Sequence, residues 1–432
     1  MSRQLPARPN IEYHKNAAKA LLKARRKGDI VANERVSGAH PRGASVDVTL
    51  RDAQWVIARE HGFATWAEFR EHVVGCERRA VPDVASDAIS SVLDITPEWL
   101  TRRLQGNGYL PRGRVSAVEV VSRDTPRSGV DRIAIAYTSD APTAPARLLL
   151  KRTGGGDGAT EVGFYTDIAP RMGVASTPVC YDAGIDHETR QAYVLVADHL
   201  DTHFLYRAPE HLAAPALESV VEELARIQAF WWDNERIHQN HYRNPMMMEA
   251  DTPQALHRCC ARLLDRAVPR FFDGPAVGAP PEWRGLCESA IAAWPAHMNE
   301  RRAEGARLTF THTNFHPHTF LLPRDAERDV PVIFHWNGLA GGLGVFSVAH
   351  PVLTSSMDRE ARHARTESLL HGYVAALRDN GVDGYSQEMC LQDLRLSIVA
   401  NFDPFLQHEQ PDFLRAAIED YHHWGCAAEV GG

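Results

Sequence analysis

The residues that could do chemistry are concentrated in one stretch, THTNFHPHTFLL, at positions 311–322. It holds His312, His316 and His318 together with Asn314, and it contains no acidic residue. A fourth histidine, His335, follows the apolar run VIF. Histidine is the usual proton carrier near neutral pH, so these imidazoles predict a site for acid and base chemistry.

Some of the same histidines also have the composition of a metal site. His316 and His318, spaced as H-x-H, could join His335 to supply three imidazole ligands to zinc or iron and leave one position open. The surrounding sequence offers no carboxylate ligand. We therefore keep the metal site as a secondary alternative and predict that the protein holds no metal.

Nucleophilic catalysis is not indicated by the rest of the sequence. No serine or cysteine stands in a recognisable triad pattern. The seven cysteines are scattered, odd in number and lack C-x-x-C spacing. This usage predicts reduced thiols rather than a disulfide framework or a zinc knuckle.

Composition excludes several classes of protein. The 432 residues are 44% hydrophobic, which allows two or three domains with a sizeable core. A formal net charge of −8 argues against a nucleic-acid partner, whose phosphates require a basic surface. No apolar run approaches the roughly 18 residues needed to cross a bilayer, and a secretory signal pattern is absent. These features predict a cytoplasmic protein with no membrane partner.

The histidines must be positioned by elements that follow an N-terminal helical module, which the sequence predicts over residues 1–76. Helical periodicity ends at Gly28, a capping-box pattern begins a second helix at Thr49, and TWAE at residues 65–68 opens a third. The polar, proline-containing segment 77–91 is interpreted as a linker.

A small sheet-rich lobe is predicted over residues 92–200, and a larger helical lobe over residues 201–432. The small lobe begins with a helix capped by Thr96 and Pro97. Strand patterns follow at residues 115–121, 132–138, 146–152 and 192–197. Between the last two of these strands, the sequence predicts a flexible turn, GGGDG at 154–158, and a helix at 161–169. Two short apolar runs, 319–322 and 330–334, interrupt the helical lobe. This order predicts an α+β, bilobal, protein-kinase-like fold with a small-molecule cleft between the lobes.

The chain resembles the aminoglycoside-phosphotransferase superfamily, in particular its ecdysteroid-kinase-like and choline-kinase-like branch. The resemblance covers roughly residues 92–410. It rests on the order of DITPEWLTRRL, LLLK, EVGFYTDIAPRM, LARIQAFWWD, the THTNFHPHT loop and VIFHW ahead of GGLGV. It implies a kinase-like fold in which Lys151 and Glu161 anchor a nucleotide, if one still binds. Separately, the first 75 residues look like a helical module found ahead of unrelated bacterial domains.

The sequence departs from the family at the positions that hold magnesium and accept a proton. The family's H-G-D-x-H-x-x-N loop has its aspartate at Asn314 and its asparagine at Thr319. The metal-binding aspartate of I-D-W corresponds to His335, and the aspartate of D-L-A to Ser347. An amide cannot take up a proton at neutral pH, and imidazole is a poor magnesium ligand. The turn SRDTPRSGV, at the place of the family's phosphate-binding loop, contains a single glycine, Gly129. We therefore predict a pseudokinase-like protein without phosphotransfer, for which neither ATP nor magnesium is expected as a cofactor.

Three functions remain open from sequence. The first is a repurposed small-molecule enzyme of bacterial specialised metabolism, of isomerase, cyclase, lyase or hydrolase type. In this enzyme, His335 would carry protons together with His318 or His316. Asn314 would lie beside them in the cleft where the resembled kinases bind the phosphate acceptor. The second is a non-catalytic small-molecule-binding or scaffolding pseudokinase, whose N-terminal module recruits a protein partner or self-associates. The third is an ATP-dependent O-phosphotransferase with an atypical metal site. His312 and His316 could instead be inherited framework residues.

Overall fold

A computed structural model of the chain describes residues 11–39, 48–79, 89–123, 129–141, 144–186, 189–206, 214–238, 253–274, 279–304, 307–355 and 357–427. The chain forms two compact units, Met1–Asp198 and His199–Gly432. The finer domain limits set out above stay predictions. Among the described helices, none combines the length and the hydrophobicity that crossing a membrane requires.

The first unit opens with helices α1 Ile11–Arg26, α2 Ile30–Ala39, α3 Leu50–Glu60 and α4 Trp66–Arg79. The helix boundaries predicted at Gly28 and Thr49 are confirmed. Gly28 has a φ of +82°, and the Thr49 and Asp52 side chains form a reciprocal capping box. Helix α2 is not predicted by the sequence, because IVANERVSGA shows no apolar stripe. Helix α4 runs past residue 77, so the segment interpreted as a linker is helical at its start, and residues 80–88 lie outside the described residues.

A five-stranded antiparallel sheet follows, with strand order β1-β2-β3-β5-β4. Its strands are β1 Val115–Arg123, β2 Val130–Tyr137, β3 Arg147–Gly154, β4 Cys180–Ile185 and β5 Gln191–Ala197. The four predicted strands are confirmed, and β4 is additional. Alternate apolar residues such as Ile133 and Leu148 pack against Trp99 and Leu100 of helix α5, Pro97–Gly106, which begins at the predicted cap Thr96.

Four of the five residues of GGGDG, 155–158, are helical, so the interpretation of this stretch as a flexible turn is wrong. Helix α6, Gly155–Gly163, begins directly after β3 and continues through a π-helical turn, Phe164–Ile168, into α7, Ala169–Met172. A Cβ atom on Gly158 would lie 2.6 Å from the Cβ of Ala192 and 2.8 Å from the carbonyl oxygen of Thr153. Gly158 therefore lets the helix approach the sheet closely, which helix propensity does not anticipate.

Gly129 is held by sheet geometry. Its φ is +60°, and a Cβ there would lie 2.6 Å from the carbonyl oxygen of Arg152, whose amide donates to the Gly129 carbonyl. Residues 124–128, the rest of the turn considered above for phosphate binding, lie outside the described residues.

The second unit is mainly helical. Its helices are α8 Ala214–Trp231, α9 Pro253–Arg262, α10 Val268–Asp273, α11 Pro281–Ala303, α12 Phe346–Leu353, α13 Arg359–Asp379, α14 Gln387–Ala400, α15 Phe402–Gln407 and α16 Pro411–His423. Two small antiparallel sheets accompany them, β6-β8-β9 and β7-β10. Their strands are β6 His203–Leu205, β7 Thr309–His312, β8 Phe320–Pro323, β9 Val332–Ile333 and β10 Leu339–Gly342. Strands β8 and β9 are the two predicted apolar runs.

The predicted fold class is confirmed. An antiparallel five-stranded sheet with a helix between its third and fourth strands precedes a larger helical unit, which is the element order of a kinase-like α+β fold.

Candidate functional site

Backbone pairing in the second unit holds the histidine loop, residues 313–319, beside the turn that follows β9. Leu339 of β10 pairs with His312 of β7. The amide and hydroxyl of Thr313 donate to the carbonyl of Gly338 at 2.9 and 2.8 Å. The Phe334 amide donates to the carbonyl of Thr319 at 2.9 Å. The loop and the turn therefore form one continuous hydrogen-bonded structure.

His312 is a buried framework residue, as one of the sequence alternatives has it. Its Nε2 lies 3.1 Å from the carbonyl oxygen of Phe334, and its ring centroid is 4.9 Å from that of Trp336. A carbonyl oxygen only accepts, so Nε2 carries the proton. Burial, reinforced by the neighbouring His335, His316 and His350, lowers the pKa of His312 to about 3 despite the bond to Phe334. The ring is neutral at pH 7 and links β7 to the segment that follows β9.

His316 is also fixed as a neutral ring. Its Nδ1 accepts a hydrogen bond from the His318 amide at 3.2 Å, which leaves the proton on Nε2. Burial, with smaller contributions from His350 and His318, lowers the pKa of His316 to about 4. Because Nδ1, its one basic nitrogen, already accepts a hydrogen bond, the geometry favours His316 as a hydrogen-bond donor. It does not favour the role of proton carrier that the sequence suggested for His316.

Thr319, at the family's asparagine position, is engaged in the loop itself. Its hydroxyl donates to the His316 carbonyl at 2.7 Å and accepts from the His316 amide at 3.1 Å. The side chain is fully buried. The hydroxyl therefore closes the turn and stabilises the loop through its own backbone.

Ser347, at the family's D-L-A aspartate position, joins α12 to β7. Its Oγ lies 2.5 Å from the hydroxyl of Thr311, 2.9 Å from the amide of His312 and 3.1 Å from the carbonyl of His312. Two groups donate to this oxygen and it donates to the third, so all are satisfied without a charge. The motif resemblance alone does not reveal that this serine is fully hydrogen-bonded within the fold.

His335 lies two residues after the end of β9 in a left-handed backbone conformation, with φ 69° and ψ 42°. It is half-buried, whereas Asn314 and His318 are exposed in the loop. Non-glycine residues in this conformation cost about 1 kcal/mol or more and often mark functional positions. The conformation determines the direction in which the imidazole leaves the backbone.

The histidines do not assemble into a metal site. Across the described ranges, no group of three or more His, Cys, Asp and Glu side chains is arranged to hold a metal ion. The set His316, His318 and His335 is therefore not brought together as ligands. The Nδ1 of His316 is in any case occupied by a backbone amide.

The first unit contains the other predicted pair. Lys151 on β3 and Glu161 on α6 are both buried, with Nζ 2.6 Å from Oε2. Burial lowers the pKa of Lys151, while the Glu161 carboxylate opposes that shift. A lysine on the third strand paired with a glutamate on the following helix is the arrangement by which kinases place a cation against nucleotide phosphates.

No protein-family model and no curated protein matches the sequence. Solved structures with a similar fold do exist. Choline kinase LicA from Streptococcus pneumoniae is 10% identical, with 71% of this chain and 93% of that chain covered and a TM-score of 0.37. A choline/ethanolamine kinase family protein from Mesorhizobium loti is 12% identical, with coverage of 73% and 89% and a TM-score of 0.35.

A third similar structure is the aminoglycoside phosphotransferase APH(3'')-Id from Streptomyces rimosus, in complex with ADP and streptomycin. It is 12% identical, with 67% of this chain and 92% of that chain covered and a TM-score of 0.36. These proteins belong to the superfamily that the motifs resemble. With TM-scores this low, they carry no argument about the activity or the ligands of this chain.

Proposed function

We propose that this protein is a kinase-like small-molecule enzyme that does not transfer phosphate from magnesium ATP and uses His335, assisted by His318, as a proton carrier. The reaction would be an isomerisation, cyclisation, elimination or hydrolysis. His335 takes up a proton from the bound molecule and returns one to it. His316 and Asn314 would bind and orient that molecule by hydrogen bonds.

The observation that supports this proposal most is the backbone of His335. The motif resemblance aligns His335 with the family's metal carboxylate, and the backbone of His335 is left-handed, with a φ of 69°. One ring nitrogen of His312 and one of His316 are paired with backbone groups. Because the pKa values of His312 and His316 are lowered to about 3 and about 4, neither ring takes up a proton near pH 7, and the proposal assigns that role to His335 with His318.

A binding pseudokinase without catalysis is the second candidate. It is favoured by the same commitment of His312 and His316, because a loop of fixed neutral donors suits recognition as well as reaction. The N-terminal helices would then recruit a protein partner or a second copy. The cases differ in whether His335→Ala abolishes turnover or leaves the protein's function intact.

The third candidate, an ATP-dependent O-phosphotransferase with an atypical metal site, is favoured by the Lys151–Glu161 pair alone. That pair is also explained as a buried ion pair of the first unit. Phosphoryl transfer needs metal ions that bridge the phosphates, and hard oxygen ligands hold such ions best.

A matched pair of variants tests the proposal at His335. Aspartate and asparagine both tolerate the left-handed conformation and have nearly the same shape, so His335→Asp and His335→Asn differ mainly in charge. We expect the wild type and His335→Asn to show no magnesium-dependent stabilisation by ATP in thermal unfolding. His335→Asp should gain one, because it supplies an oxygen ligand for the metal. At a ligand concentration 100 times Kd, binding adds about 2.7 kcal/mol to the free energy of unfolding.

Two results would overturn the proposal. Magnesium-dependent ATP stabilisation of the wild type, with phosphate transfer to an alcohol, would establish the third candidate. Turnover of the protein's substrate that is unchanged in His335→Asn would exclude His335 as the proton carrier.

A further inference from the structure

Two histidines that no sequence motif singles out are stacked at the C-terminal end of α16. His363 lies on α13 and His423 is the last residue of α16, and their rings are nearly parallel, with an interplanar angle of 13° and a centroid separation of 3.5 Å. The ring of Trp424 packs edge-on at centroid distances of 4.7 Å from His423 and 6.2 Å from His363. The stack therefore joins the last turn of α16 to the N-terminal part of α13.

A buried carboxylate determines which nitrogen of His363 carries the proton. Nε2 of His363 lies 3.0 Å from Oδ1 of Asp420, and the same oxygen accepts from Nε of Arg362 at 2.8 Å. A carboxylate accepts and does not donate, so Nε2 is protonated and Nδ1 is the nitrogen that can gain a second proton. Burial lowers the pKa of His363, reinforced by His423 and Arg362 and opposed by Asp420. The ring is therefore neutral at pH 7 and gains that proton in acid.

Charged groups from three helices lie around the two rings. Asp420 of α16 is buried and is shared by His363 and Arg362 of α13. Glu419 of α16 pairs with the same guanidinium, with Oε2 2.7 Å from Nη2. From α14, Nε of Arg395 donates to the carbonyl of Trp424 at 2.8 Å. These two carboxylates and two guanidinium groups balance each other while both rings are neutral, so each proton that the rings gain adds a positive charge.

The stack is favourable in one protonation state and unfavourable in another. Neutral aromatic rings attract each other when packed at this separation, whereas two imidazolium rings repel. The ring of His363 is held by Asp420 and its side chain is 13% exposed, whereas His423 is exposed. Repulsion would therefore displace His423 and, with it, the turn that ends α16.

Backbone hydrogen bonds in that turn provide a measure of its displacement. The amide of Trp424 donates to the carbonyl of Asp420 at 2.9 Å, and the amide of Cys426 donates to the carbonyl of Tyr421 at 3.0 Å. Both amides lie directly beside the stacked pair in the chain. Their exchange with solvent reports whether the turn is closed or open.

We propose that the His363–His423 stack is an acid-sensitive switch, which holds the C-terminal turn of α16 against α13 while both rings are neutral and releases it when both are protonated. The switch lies in a part of the second unit that the proposed function does not use. It requires no ligand and no metal.

Hydrogen exchange of the full-length protein tests the switch. Between pH 7.5 and pH 5, we expect protection factors in residues 420–427 to fall by about tenfold more than those in residues 376–382, at the other end of α13. His423→Phe keeps an aromatic ring at an exposed position but cannot be protonated, so its protection should fall no more than that reference. His422→Phe, at the neighbouring exposed position, is the matched control and should behave as the wild type.

Titration of the His363 ring measures the repulsion directly. In long-range 1H–15N correlation spectra of protein labelled with 15N-histidine, we expect a protonated Nε2 and an unprotonated Nδ1 at pH 7.5. His423→Phe removes the like charge, so the midpoint at which Nδ1 of His363 gains its proton should move to higher pH. His422→Phe should leave that midpoint where it is in the wild type.

The inference is overturned if protection of residues 420–427 falls no more than that of the reference, or if His423→Phe shows the same fall as the wild type. A midpoint of His363 that is unchanged by His423→Phe would exclude coupling between the rings and overturn it as well. These measurements use neither magnesium ATP nor turnover, so their failure can be distinguished from failure of the tests at His335.

Discussion

The first unit keeps a buried pair of opposite charges, whereas the histidine loop of the second unit holds neutral polar groups. In the first unit, the ammonium of Lys151 lies 2.6 Å from the carboxylate of Glu161. In the second, the hydroxyls of Ser347 and Thr319 and the rings of His312 and His316 are paired with backbone groups. Both regions pair buried polar groups, but only the first does so with ions.

The comparison shows two ways in which one chain buries polar groups, and they respond differently to substitution. A buried ion pair cannot lose one member without leaving an uncompensated charge, so single substitutions there are costly. In the loop, the hydroxyls and rings are paired with backbone groups, so replacing one of them leaves no uncompensated charge. Retention of Lys151 and Glu161 is therefore weak evidence for nucleotide binding.

The largest effect is expected from breaking the ion pair. Lys151→Met leaves the buried carboxylate of Glu161 without its ammonium partner. We expect a loss of about 3–5 kcal/mol in the free energy of unfolding, measured by urea denaturation.

A second substitution provides the control for that loss. The double variant Lys151→Met with Glu161→Leu should recover most of it, because hydrophobic replacement of both partners is often nearly neutral. A double variant as unstable as the single one would show that the charges are held for some purpose other than each other.

Much of the fold follows from local sequence patterns. Alternating apolar residues located β2, a short apolar run located β3, and the cap residues Thr49 and Thr96 located the starts of two helices. Helix α2 and the GGGDG segment were missed for physical reasons. The first has no apolar stripe, and the second is helical because Gly158 allows tertiary contact with the sheet to override propensity.

The candidate site was predictable in its residues but not in their roles. Spacing drew attention to His312 and His316, yet which ring nitrogen is occupied depends on backbone atoms of Phe334 and His318. The stacked pair His363–His423 lay outside every motif, because only folding brings α13 and α16 together.

The two regions should differ in their sensitivity to acid. His312 has a pKa of about 3 in the folded protein and His316 one of about 4, both below the unfolded value near 6.5. Their neutral forms stabilise the fold fully above pH 6.5, and this contribution is lost as the pH falls toward 4. At pH 5 the loss is about 2 kcal/mol for His312 and less for the half-buried His316.

Hydrogen-exchange protection factors at pH 7.5 and 5 would measure this difference. Protection of the amides in β7 and β8 should decline at pH 5 more than protection in β3. His316→Gln should remove its share of the decline, because glutamine keeps an N–H donor but does not titrate in this range. Equal declines in β3 and β7 would mean that the histidine loop is not the acid-sensitive region.

The smallest effect is expected from the left-handed backbone of His335 in the second unit. A φ of 69° is unfavourable for a residue with a side chain, so the backbone of His335 is strained. Glycine should adopt this conformation with less strain, and a β-branched residue with more. We expect His335→Gly to change the unfolding free energy by less than about 1 kcal/mol, and His335→Val to lower it by about 2 kcal/mol. Thermal unfolding of both variants measures the difference. If glycine proved as destabilising as valine, contacts of the imidazole rather than its backbone would hold this turn, and His335 would belong with His312 as framework.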